Sequence, residues 1–115
     1  MIVEGKQMVE KLNPALRGGE GTVKMTALLT PELMPEKCRL FSKIVLEQNC
    51  GIGYHVHEKE TEIYYITGGK GVVDDNGTEA HVAAGDVVVT PNGYGHSIKN
   101  VEEEALEFTA VIIYD

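Results

Sequence analysis

From Arg39 onward the chain alternates between apolar and polar residues in short bursts. They read RLFSKIVLE, YHVH, TEIYYIT, GKGVVDD, GTEAHVA, GDVVVTP, GHSIKNV and ALEFTAVIIY. Glycine, proline, asparagine or aspartate bounds each of them. A period of two puts successive side chains on opposite faces, so each burst predicts a β-strand. In the first, Leu40, Ser42, Ile44 and Leu46 share one face, while Phe41, Lys43 and Val45 share the other. Asn76-Gly77 between two bursts predicts a tight hairpin, because a type I′ turn needs positive φ at both central positions. Many short strands with regular turn signals predict an all-β fold, a sandwich or an antiparallel barrel.

Residues 1–37 lack this rhythm and read as an N-terminal arm packed outside a barrel formed by residues 38–115. GGEGT (Gly18 to Thr22) reads as a flexible loop after the Asn13-Pro14 segment. Pro31 and Pro35 limit LLTPELMPEK to a short helical turn. With no repeat and no low-complexity linker, the 115 residues predict one domain. That length buries a compact core.

Charge and composition remove several function classes. A net charge of −8 argues against nucleic acid and anionic lipid as partners. No apolar run approaches the ~18 residues of a membrane span. The opening MIVEGKQMVEKLN mixes charges with apolar residues and has no apolar core of a secretory signal. The expectation is a cytoplasmic protein. Its two cysteines, Cys38 and Cys50, flank one strand and are read as reduced, unpaired thiols.

The candidate chemistry lies in GYHVHEKETEIYYITGGKG, residues 53–71. His55 and His57 are two apart in a strand, so they project together, ~6.6 Å apart along its axis. Two imidazoles so placed can converge on one ion, at metal–nitrogen distances of ~2.1 Å. Glu62 opens the next strand after EKET, and a neighbouring strand ~4.8 Å away brings it within reach of the same ion. His96 is a fourth candidate that must arrive from a sequence-distant strand. His81 has no partner at ligand spacing and reads as an ordinary histidine.

Together these residues resemble the cupin superfamily through both of its motifs. In the first motif, His55-Val56-His57 is followed by four residues, Glu62, six residues and Gly69. In the second, Gly85, Pro91, Gly93, His96 and Asn100 stand at the motif's positions. One position departs: Asn49 stands where the first motif begins with glycine. The resemblance implies a small jelly-roll barrel, a double-stranded β-helix, with His55, His57, Glu62 and His96 ligating one metal inside it.

Three imidazoles and a carboxylate suit Mn, Fe, Ni, Zn or Cu. An octahedral ion so held keeps two positions for water, dioxygen or a bidentate substrate. The expected function is therefore a small metal-dependent enzyme acting on an oxygen-rich metabolite, of dioxygenase, decarboxylase or isomerase type. The alternative is a non-catalytic module that binds or senses a small molecule. Tyr64 and Ile66 share the inward face with Glu62, and Ile98 shares that of His96; these three are the pocket candidates. Arg39 and Lys43 are potential anion binders, read as surface residues. The apolar residues on both faces of FTAVIIY predict a homodimer.

Overall fold

The computed structural model describes residues Met1–Asp115 and is almost entirely β. Ten strands follow in order: β1 (Glu10–Pro14), β2 (Thr22–Ala27), β3 (Cys38–Leu46), β4 (Gly51–Val56), β5 (Glu60–Gly68), β6 (Lys70–Asp75), β7 (Thr78–Ala83), β8 (Val87–Thr90), β9 (Gly95–Lys99) and β10 (Leu106–Tyr114). They form a six-stranded sheet, β1-β2-β3-β10-β5-β8, and a four-stranded sheet, β4-β9-β6-β7. Every pairing is antiparallel. No helix is long and apolar enough to cross a membrane.

The two sheets face each other as an antiparallel jelly-roll barrel, and alternation decides what lies between them. The larger sheet contributes Ile44, Leu46, Tyr64, Ile66, Leu106, Phe108 and Ala110, and the smaller contributes Ile52, Val73 and Ile98. Inner faces of stacked sheets lie ~10 Å apart, so these side chains interdigitate and exclude water. The Asn76-Gly77 turn takes φ of +49° and +99°, as its sequence predicts. Asp74 Oδ1 secures it by accepting from the Gly77 N–H at 2.8 Å. Both cysteines are free.

The first 37 residues do more than pack outside. β1 and β2 form a hairpin, and β2 pairs with β3 from Lys24↔Val45 to Ala27↔Ser42. The arm therefore continues the larger sheet, and Val23 is wholly buried in the common core. Pro14 obscured this in the sequence. It cannot donate to a ladder, but it is tolerated at the end of an edge strand, which is where it sits. Helix is confined to short 3-10 turns at Gly5–Gln7 and Leu16–Gly18, the second broken by Arg17 in the left-handed region.

Candidate metal centre

His55 and His96 are direct cross-strand partners on β4 and β9. A bulge between Ile52 and His55 inserts one extra residue in β4. It brings His55 onto the inner face two residues before His57. His57 lies just past β4 and is held by its N–H to Tyr94 O (3.0 Å) and its carbonyl to Gly93 N (2.7 Å). Glu62 does not come from a neighbouring strand, as its spacing suggested. It stands on β5 in the opposite sheet and reaches across the interior. His96, distant in sequence, is the lateral neighbour. Closing two sheets face to face reverses the two roles.

The four donor atoms lie within 4.8 Å of one another. His96 Nε2 is 3.1 Å from His57 Nε2 and 3.2 Å from His55 Nε2. Glu62 Oε1 is 2.9 Å from the Nε2 atoms of both His57 and His96, and 3.9 Å from that of His55. Ligands ~2.1 Å from one ion and at right angles stand about 3.0 Å apart. The short separations match that spacing.

Hydrogen bonds behind the rings decide which nitrogen faces inward. His55 Nδ1–H donates to the Gly53 carbonyl at 2.8 Å, an oxygen that can only accept. His57 Nδ1–H donates to Glu60 Oε2 at 2.6 Å. His96 Nδ1 meets Thr90 Oγ1 at 2.7 Å. In the neutral rings of His55 and His57 the Nε2 lone pairs therefore point at the Glu62 carboxylate and at each other. A cation among them satisfies all of these donors, so the residues fit a divalent metal.

Ionisation agrees with that fit. Burial pushes the His96 imidazole down, outweighing the upward pull of Glu62, so the ring is neutral at pH 7. Burial alone would raise the Glu62 carboxyl. The imidazoles of His55, His96 and His57 crowded around it outweigh burial and hold the group down to about 2. Burial and the Glu62 charge push the Tyr64 phenol well up. Tyr64 stacks on His96 with ring centroids 5.0 Å apart and fixes that ring from the side.

A cavity of about 230 Å³ opens above the donors. Its walls include Asn13, Leu16 and Arg17 from the arm, and Arg39, Ile52, Tyr64 and Ile112 from the strands. Of the three pocket candidates Tyr64 lines this cavity, while Ile66 and Ile98 are buried in the apolar core. Arg39 is exposed, as read, but it is paired. Its Nε and Nη2 donate to Glu60 Oε1 and Oε2 at 2.9 and 2.8 Å. Lys43 does lie outside, 3.6 Å from Glu107. His81 on β7 is exposed and apart from the cluster. Sequence reasoning missed Arg17 altogether, since nothing in GGEGT or its surroundings signals a cavity wall.

Comparison with known proteins agrees with this arrangement. The profile of the Cupin domain family matches residues 43–112. An oxalate-binding protein of Thermotoga maritima is 44% identical over 98% of this chain and 93% of its own. The chain is a cupin. The crystal structure of a predicted oxalate decarboxylase from Thermotoga maritima superposes with a TM-score of 0.95, at 43% identity and full coverage of both chains. A sugar phosphate isomerase from Silicibacter pomeroyi shares the fold at 18% identity, with a TM-score of 0.83, over all of this chain and 76% of that one.

The cupin motif positions now have physical reasons. Asn49, the departure from glycine, adopts φ +64°. Asparagine is among the few side chains that tolerate this left-handed region, so the turn survives the exchange. Asn100 is wholly buried. Its amide donates to the carbonyls of Leu46 and Glu104, and its oxygen accepts from the Glu102 N–H. It closes the turn into β10 and stays away from the cavity.

Proposed function

We propose that this cupin holds one divalent transition metal on His55, His57, Glu62 and His96 and captures a small dicarboxylate, oxalate being the smallest, against it. The observation that carries this reading is one cavity joining three of the four donors, His55, His57 and Glu62, to two arginines, in a chain of net charge −8. Arg17 makes no ion pair, whereas Arg39 is matched by Glu60. A divalent ion, Glu62, Arg17 and a dianion together sum to zero charge. The bound ion would supply a Lewis acid for carboxylate oxygens. Arg17 offers a planar fork for a carboxylate. Leu16, Ile52 and Ile112 exclude water and limit ligand size. The name of the Thermotoga maritima relative supports the same ligand class.

Capture without turnover is the better supported form. Beyond the donor set, the polar residues of the wall are Asn13, Arg17, Arg39 and Tyr64. Arginine stays protonated and the Tyr64 phenol is pushed up, so neither is a base near neutrality. The decarboxylase description of the similar crystal structure keeps turnover as the second reading. A homodimer is proposed with it. Tyr65, Val87, Val89 and Ile113 leave the outer face of the larger sheet apolar and exposed.

Calorimetric titration of oxalate into metal-loaded protein tests the capture. We expect one site, weaker binding of malonate and succinate, and loss without metal. Arg17→Ala should weaken oxalate binding about 10-fold or more, in line with a lost charged hydrogen bond, and leave metal content unchanged. Absence of oxalate binding would overturn the reading, and steady loss of oxalate with release of carbon dioxide would favour the decarboxylase.

A further inference from the structure

We infer that Arg39 and Glu60 are positioning residues that set His57 as a metal donor and keep Glu60 from becoming one; this rests on the metal site proposed above. Glu60 and Glu62 both face inward on β5, ~6.6 Å apart along the strand. Two carboxylates so close to one cluster could compete for an ion. Only Glu62 joins the donor set. The reason lies in what Glu60 already holds. Both of its oxygens accept from the Arg39 fork, and Oε2 also accepts the His57 Nδ1–H at 2.6 Å. A carboxylate gripped at both oxygens cannot turn toward the ion.

The same grip acts on His57. A neutral imidazole carries its proton on either nitrogen, and only the Nδ1–H form presents an Nε2 lone pair to a metal. A carboxylate at Nδ1 selects that form, orients the ring and raises its basicity. His57 is 3% exposed and Glu60 8%, so water does not compete for either group.

Arg39 reaches this position through an irregularity of the strand. The pairing of β3 with β10 steps from Leu40↔Ile112 to Cys38↔Ile113. Arg39 is thus the extra residue of a bulge, a device that re-aims a side chain. Strict alternation places it outward with Phe41 and Lys43. The bulge places it instead on the cavity wall, bonded to Glu60.

The test uses a metal ion alone, Mn²⁺ or Zn²⁺, in competition with a chelator. Glu60→Ala and Arg39→Ala should each lower affinity about 10- to 100-fold, the usual cost of losing such a partner. The double variant should cost no more than Glu60→Ala alone, since both act through one ring. Glu60→Gln, which keeps an acceptor for the Nδ1–H, should cost less, and Arg39→Lys, which loses the fork, should not restore wild-type affinity. Lys43→Ala, on the outer face of β3, should change nothing.

A second readout needs no metal. Nitrogen-15 NMR should show the His57 ring as Nδ1–H in the wild type and as mixed tautomers in Glu60→Ala. If Glu60→Ala does not fold, Glu60→Gln and Arg39→Lys carry both measurements. Wild-type affinity and an unchanged tautomer in the variants would overturn the inference and leave the metal site standing. A wild type that takes up no metal would overturn the metal site itself, and the inference with it.

Discussion

Three histidines become a binding unit because each ring is pinned from behind, by Gly53, Glu60 and Thr90 in turn. His55 and His57 were legible as donors because parity in a strand is local information. His96 and Glu62 were legible through motif spacing, though the sheets that carry them were not. Arg39–Glu60 was illegible because a bulge breaks the parity, and the two residues pair across 21 positions. Arg17 was illegible because its role depends on where a loop lands. At this scale the donors should fail as a unit. His55→Ala or His57→Ala should remove most bound metal on elemental analysis. Glu62→Gln keeps shape and a carbonyl but loses the charge, so it should weaken binding before abolishing occupancy. His81→Ala, exposed on β7, should retain full metal content; full retention in His57→Ala as well would contradict the site.

Strand by strand, residues 38–114 follow their alternation closely, because each strand is buried on one face and that face fixes its register. The arm hid its two strands. Its loop, from Ala15 to Gly21, carries two non-glycine residues in the left-handed region, Ala15 (φ +52°) and Arg17 (φ +54°). Such backbone persists only where surroundings hold it. Here the loop lies directly on β4, where a Cβ on Gly53 would strike the Arg17 carbonyl and the Gly19 nitrogen. The Gly51 N–H bonds to the Glu20 carbonyl at 2.9 Å beside this contact. Gly53→Ala should therefore lift the loop and carry Arg17 off the cavity. The expected result is a loss of about 1–3 kcal/mol in chemical denaturation, typical of overpacking, with weaker oxalate binding and unchanged metal content. Unchanged stability and oxalate affinity together would show that the loop does not rest on this glycine.

For the whole molecule, two consequences follow from sheets that meet at one cluster. The outer face of the larger sheet carries the row Phe41, Val111, Ile63 and Val89 across β3, β10, β5 and β8. Tyr65 and Val87 form a pair beside it. Sedimentation at micromolar concentration should give twice the chain mass, and Val89→Glu should give the single mass; a wild-type monomer would contradict the dimer. The inner consequence is that a metal bound at the cluster would join β4 and β9 to β5 across the interior, and so would bind the native state only. At a free concentration 100 times its dissociation constant, an ion stabilises by ~2.7 kcal/mol, or roughly 10 °C in Tm for a chain of this size. The sign of the pH dependence follows from the two shifted groups. His96 is depressed in the fold, so the unfolded chain takes up that proton first, below about pH 6.5, and stability present above that pH is lost as it falls. Glu62 is depressed to about 2, so its contribution is present above about pH 4.5 and lost as pH falls through 2. The metal-free protein should therefore begin to lose Tm on acidification just below neutrality, and lose it further below pH 4.5. The metal-dependent gain should shrink below about pH 6, where protons compete for the imidazoles. Calorimetric scans from pH 8 to pH 2 without metal, and from pH 8 to pH 4 with it, measure both. A Tm indifferent to metal at pH 7.5, or a gain as large at pH 5 as at pH 7.5, would contradict coordination by neutral histidines.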